Sequence, residues 1–130
     1  MNRILIIALT FCTIFAFSSQ AQEKKSSSHT MKGYLVDKMC ATGIVKKSPD
    51  EAMAKAAKHT RECALEESCA ASGYGIVSDG NYIKFDKAGD KKANEFLIKS
   101  KTVNNIYVEV SGTDEGNTIT VASIKEIKKK

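Results

Sequence analysis

Tyr74-Gly-Ile-Val-Ser-Asp79-Gly80-Asn-Tyr-Ile-Lys-Phe-Asp86 is the stretch on which the fold turns. Asp79-Gly80 is the commonest kind of two-residue hairpin signal, and the apolar residues on either side recur with the period of a strand. Tyr74–Ser78 and Tyr82–Asp86 are therefore expected to pair. Ile83 and Phe85 share one strand face, and Tyr82, Lys84 and Asp86 share the other.

Downstream, Asp90–Lys99 reads as a short amphipathic helix with Ala93, Phe96 and Leu97 inward, and Asn104-Asn105 ends the connection. Ile106–Ser111 alternates strictly, placing Ile106, Val108 and Val110 on one face. The turn Gly112–Asn117 leads into a last strand over Thr118–Ile127. There the apolar spacing slips from two (Ile119, Val121) to three (Ile124, Ile127), which predicts a bulge near Ala122-Ser123.

Upstream lies a helical pattern. Ser48 is placed to cap it, Pro49 to be its first residue and Glu51 to complete a capping box. Met53, Ala56, Ala57, Thr60, Cys63 and Ala64 recur at spacings of three and four, and Gly73 is a suitable stop. Before it, Thr30–Asp37 is the first strand, with Gly33 permitting a bend, followed by a turn at Cys40-Ala-Thr-Gly43. The expected class is mainly β with two helices, one domain over 30–127. Its strand order predicts an OB-like, five-stranded, partly open barrel with a helical insertion between strands 1 and 2. The alternative is an α+β sheet with both helices on one face.

The 130 residues begin with Arg3 and the apolar run Ile4–Phe17, then Ser18-Ser-Gln-Ala21. A basic start, a short apolar middle and a small-residue cut site predict a cleaved signal peptide over 1–21. The run is shorter than the roughly 20 residues of a membrane span. Residues 22–29, polar and ending at His29, read as a disordered tether, and Lys128–Lys130 as a basic tail. The expected location is periplasmic or secreted, with no membrane span after cleavage. The formal net charge of +5 owes much to the C-terminal lysines, and no face interleaves basic with aromatic residues. Nucleic acid is therefore not an expected partner.

Chemistry concentrates in Cys40, His59, Cys63 and Cys69. His59 and Cys63 are four apart and project from one side of a helix. Cys69 would point about 240° away if that helix ran unbroken, so a break, with Ser68 capping a fresh turn, is needed to bring it round. Three sulfurs and an imidazole form a known zinc set, and copper(I) also suits thiolates, with Met39 or Met53 as soft neighbours. The competing expectation is a disulfide from Cys40 to Cys63 or Cys69, leaving one thiol over. Cys63 with Cys69 is a poor pair, since six residues of helix rise about 9 Å. Asp37 is placed either to cap a turn or to orient His59 as an outer partner. Tyr34, Tyr82 and Tyr107 form a second candidate ligand face. There is no C-x-x-C, P-loop, Ser/His/Asp set or carboxylate pair, so no catalytic residue is assigned.

Gly33-Tyr-Leu-Val-Asp37, Cys40, His59 with Cys63-Ala64, Cys69, and Gly73 ahead of Ile76-Val77-Ser-Asp-Gly80 resemble a family of small exported bacterial proteins. Its pattern is D-x-x-C … H-x(2,3)-C-A … C … G, and the likeness covers most of the chain beyond the leader. The resemblance implies one constellation of Cys40, His59, Cys63 and Cys69 and assigns it no reaction. The expected function is a non-enzymatic binding module for a metal ion, zinc or copper, or a small ligand at this cluster. The rivals are a periplasmic redox protein in which one thiol forms and breaks a disulfide with Cys40, and a structural disulfide on an OB-type scaffold that binds elsewhere; the expected partner is a small ligand, a metal ion or an envelope protein.

Overall fold

The computed structural model describes residues 28–130. The leader expected over 1–21, and all of the tether except Ser28 and His29, lie outside the described residues. The strands are β1 (Ser28–Asp37), β2 (Tyr74–Ser78), β3 (Asn81–Phe85), β4 (Tyr107–Asp114) and β5 (Thr118–Glu126). The helices are α1 (Lys38–Ile44), α2 (Pro49–Lys58), α3 (Arg61–Leu65), α4 (Glu67–Ser72) and α5 (Lys87–Lys99). The class is thus mixed α/β with five described helices, not mainly β with two. β1 takes in Ser28 and His29, with His29 opposite Gly112, so the first strand starts two residues before the expected Thr30.

The strands form a ring in the order β1-β2-β3-β5-β4, and β4 returns to pair with β1. The β2–β3 hairpin turns at Asp79 and Gly80, with φ of 48° and 80°, as the Asp-Gly signal requires. β3 meets β5 in a short parallel seam, Lys84 opposite Thr118 and Phe85 opposite Ile119. Ser111 pairs with Ser123 while Gly112 pairs with Val121, so Ala122 is the extra residue of the bulge expected there. Gly33 serves close approach: a Cβ there would stand 2.6 Å from the Val77 carbonyl oxygen of β2.

Two apolar clusters lie on opposite faces of the strands. One joins Leu35, Ile76, Phe85, Val108, Val110, Ile119 and Val121 to Ala93 and Leu97 of α5, with Phe96 against its edge. The other joins Tyr34, Val36 and Val77 to Ala41 and Ile44 of α1 and Ala52 and Ala56 of α2. The helices therefore cover both faces, which rules against the α+β alternative with both helices on one side. This double cover is why Gly33 to Asp37 are all buried, with no outward polar alternation.

The insertion between β1 and β2 departs most from expectation. Cys40–Gly43 is part of α1, not a turn, because Asp37 at the end of β1 caps that helix. Ser48 and Pro49 start α2 as expected, but the Ser48 side chain makes no capping bond. The single helix expected up to Gly73 is broken twice. His59 and Thr60 are extended, with ψ of 132° and 151°, and Glu66 breaks the chain again with ψ of 142°. Backbone bonds to the segment after α5 hold the first break: Arg61 N–H donates to Val103 O at 2.7 Å, and Asn105 N–H donates to Ala57 O at 2.8 Å. An isolated bridge joins Thr60 to Asn104, and the Arg61 guanidinium donates to the Ser100 carbonyl. Among the described residues, no helix is long and apolar enough to cross a membrane.

Candidate metal centre

Each cysteine is the third residue of a short helix. Asp37, Thr60 and Glu66 are the N-caps of α1, α3 and α4, and Cys40, Cys63 and Cys69 follow each cap by three. Asp37 Oδ1 accepts from Cys40 N–H at 2.9 Å, and Thr60 Oγ1 accepts from Cys63 N–H at 3.1 Å. Caps thereby fix the backbone beside two of the sulfurs. The third is fixed by the junction of α4 with α1. Ser72 Oγ donates to Cys69 O at 2.7 Å and accepts from Met39 N–H at 3.1 Å, while Lys38 N–H donates to Gly73 O at 2.9 Å. Gly73 ends α4 at φ 89°, the stop expected of it.

The outcome is convergence. One oxygen of Asp37 and the sulfurs of Cys40, Cys63 and Cys69 all lie within 4.8 Å of one another. Cys40 Sγ and Cys63 Sγ are 3.6 Å apart, and all three cysteines are free thiols. An S–S bond is about 2.05 Å, whereas two thiolates on one tetrahedral zinc, each bonded at about 2.3 Å, stand about 3.8 Å apart. At 3.6 Å the two sulfurs are unbonded and within thiol hydrogen-bond reach, and the spacing is also compatible with two ligands of one ion.

His59 stands outside this group of four. Its Nε2 lies 2.9 Å from Asp37 Oδ2, the carboxylate fully buried and the ring 6% exposed. The approach is off line for a hydrogen bond, and neither ring nitrogen has an aligned partner among the described residues. Asp37 thus caps, through Oδ1, the helix that follows β1, and its Oδ2 lies beside His59. The sequence reading missed that an Asp37 oxygen would stand among the three sulfurs. The repeated spacing, a cap residue and then cysteine three later, was the available signal for how the site is built.

Burial pushes the Asp37 carboxyl up, but His59 and the Cys40 N–H together outweigh it and leave the group below its ordinary value. The thiols move the other way. Burial, then the neighbouring Cys63 and Asp37, push Cys40 far above an ordinary thiol. Burial, then Asp37 and Cys63, also raise Cys69. Such thiols stay protonated unless a cation enters between them.

The pocket is open on one side. A cleft of about 400 Å³ beside it is lined by Cys40, Gly43, Ile44, Lys55, Lys58 and His59. Of the soft neighbours considered, Met39 is 54% exposed and Met53, on α2, packs against the cluster of Tyr34, Val36 and Val77.

The three tyrosines lie elsewhere. Tyr34 and Tyr107 meet edge to face at 5.0 Å, beneath the Lys129 ammonium, which is 5.0 Å from the Tyr34 ring. Both line a second cleft with Asp50 and Asp79. Tyr82 packs against the same cluster with its hydroxyl buried, and burial pushes that phenol far up. Among known proteins, the chain matches no family model, no curated protein and no solved structure.

Proposed function

We propose that the chain is an exported, non-enzymatic binding module that holds one soft metal ion, zinc or copper(I). The ligands are the thiolates of Cys40, Cys63 and Cys69 and the carboxylate of Asp37, with His59 as the partner of that carboxylate. The observation that carries this reading is the gathering of four donor atoms within 4.8 Å from β1, α1, α3 and α4. Three thiols and a carboxylate packed this closely repel one another once ionised, and a cation removes that cost. The frame is read as OB-like, on the strand order 1-2-3-5-4 with α5 between β3 and β4. In the periplasm or outside the cell, a bound metal would keep the three thiols from oxidising.

Elemental analysis of protein prepared from the cell envelope tests this. The expected result is about one zinc or copper per chain, lost in Cys63→Ser and Cys69→Ser. Protein that is metal-free, and stays so when offered Zn²⁺ or Cu⁺ under reducing conditions, would end the reading.

The 3.6 Å between Cys40 and Cys63 favours one alternative, a reversible disulfide with an envelope protein as partner. Its potential would lie above about −300 mV, the range of structural bridges. The raised Cys40 thiol speaks against it, because the thiolate is the attacking species.

A further inference from the structure

The cleft beside the cluster has a composition of its own. Its lining joins Lys55 and Lys58 to Cys40, Gly43, Ile44 and His59, and contains no acidic residue. Lys55 and Lys58 belong to the exposed face of α2, one turn apart, and Lys46 and Lys47 follow α1 nearby in the chain. His59, also in the lining, has a side chain only 6% exposed. Cys40, half-buried, is the sulfur of the cluster that lines this cleft.

We propose that the cleft receives a small anionic thiol, a molecule bearing carboxylates and one soft sulfur, which delivers the metal to the cluster or takes it away. This rests on the metal reading above. The lysine pair matches the carboxylates, and Cys40, in the same lining, would meet the ligand's sulfur. Delivery is then a ligand exchange. A metal–sulfur bond to Cys40 forms as the one to the carrier breaks, the Cys40 proton passes to the leaving carrier sulfur, and no electrons change hands. The tyrosine cleft does not share this chemistry, because Asp50 and Asp79 line it.

Two measurements test the cleft. The first uses S-methylglutathione and reduced, metal-free protein, so it depends on no metal. Amide shifts should be confined to Gly43, Ile44, Lys55, Lys58 and His59, and should vanish in the Lys55→Glu/Lys58→Glu variant. Shifts that are absent, or unchanged in the variant, overturn the proposal. The second follows copper(I) uptake from its glutathione complex and from its complex with uncharged β-mercaptoethanol. The charge reversal should slow transfer from glutathione by about tenfold or more, leaving the neutral carrier and the final stoichiometry unchanged. Equal slowing from both carriers, or none, also overturns it. Failure of the metal reading alone would look different: ligand shifts would persist in a protein that takes up copper from neither carrier.

Discussion

Asp37 Oδ2, at the end of β1, stands 2.9 Å from Nε2 of His59, at the end of α2, with the carboxylate fully buried. One residue thereby caps the first helix of the insertion, meets the histidine at the first helix break and contributes an oxygen to the cysteine cluster. Local structure and site are coupled through a single carboxylate.

Removing either partner should be costly. His59→Ala leaves the buried Asp37 carboxylate without its cationic neighbour at Oδ2, and the expected loss is about 3 kcal/mol in urea denaturation. Asp37→Ala should cost more, because it also removes the cap of α1, worth about 1 kcal/mol by itself. Equal midpoints for wild type and His59→Ala would show that the pair contributes no stability.

The pair also sets a direction for acid denaturation. Asp37 titrates below its ordinary value of 3.8 in the fold, so the unfolded chain takes up the proton first as pH falls. Its stabilising contribution is present above that value and is lost as pH drops through the folded pKa. Asp90, raised by burial although it accepts from Tyr74 N–H at 2.7 Å, works in the opposite sense over the carboxylate range. In Asp37→Asn, the loss of stability below about pH 4 should be shallower than in wild type, as read by thermal melts across pH. An identical slope would exclude Asp37 as a source of acid lability.

The thiols should differ in reactivity. Cys69 is 4% exposed, while Cys40 and Cys63 are half-buried. In metal-free, reduced protein, alkylation should modify Cys69 only on unfolding. Cys40 should react at least about tenfold more slowly than a free thiol at pH 8, because burial keeps it protonated. Raised thiols also bind protons longer in the fold than in the unfolded chain. Stability should therefore fall as pH rises above the ordinary thiol value of 9.0. Metal should protect all three, and equal labelling with and without it would argue against a shared ion.

Tyr74 links the cluster to the frame. Its hydroxyl donates to Ala64 O at 2.8 Å, beside Cys63, and accepts from Asn94 of α5 at 3.1 Å. Tyr74→Phe leaves a buried carbonyl unpaired and should cost about 1–3 kcal/mol. It should also loosen α3 enough to weaken metal binding, which a competition titration against a chromophoric chelator would read. Unchanged stability and unchanged affinity would mean that α3 is positioned by other contacts.

The strands were legible in the sequence because each obeys a local rule. Asp79-Gly80 can hardly do anything but turn, and Ile106, Val108 and Val110 alternate as a strand with one buried face must. The spacing slip after Val121 announced the bulge at Ala122. Cys40, His59, Cys63 and Cys69 could be picked out by residue type alone. The breaks at His59–Thr60 and Glu66 could not, because alanine-rich sequence favours an unbroken helix. What opens the chain at His59–Thr60 is the segment from Ser100 to Asn105, which takes the backbone bonds of Ala57 and Arg61 from far along the chain. Only that long-range pairing, with the α4–α1 junction at Ser72, turns three cysteines on separate helices toward one carboxylate. Residue identity singled out the three thiols, and tertiary contacts decided that they meet and that an Asp37 oxygen, not the His59 ring, stands among them.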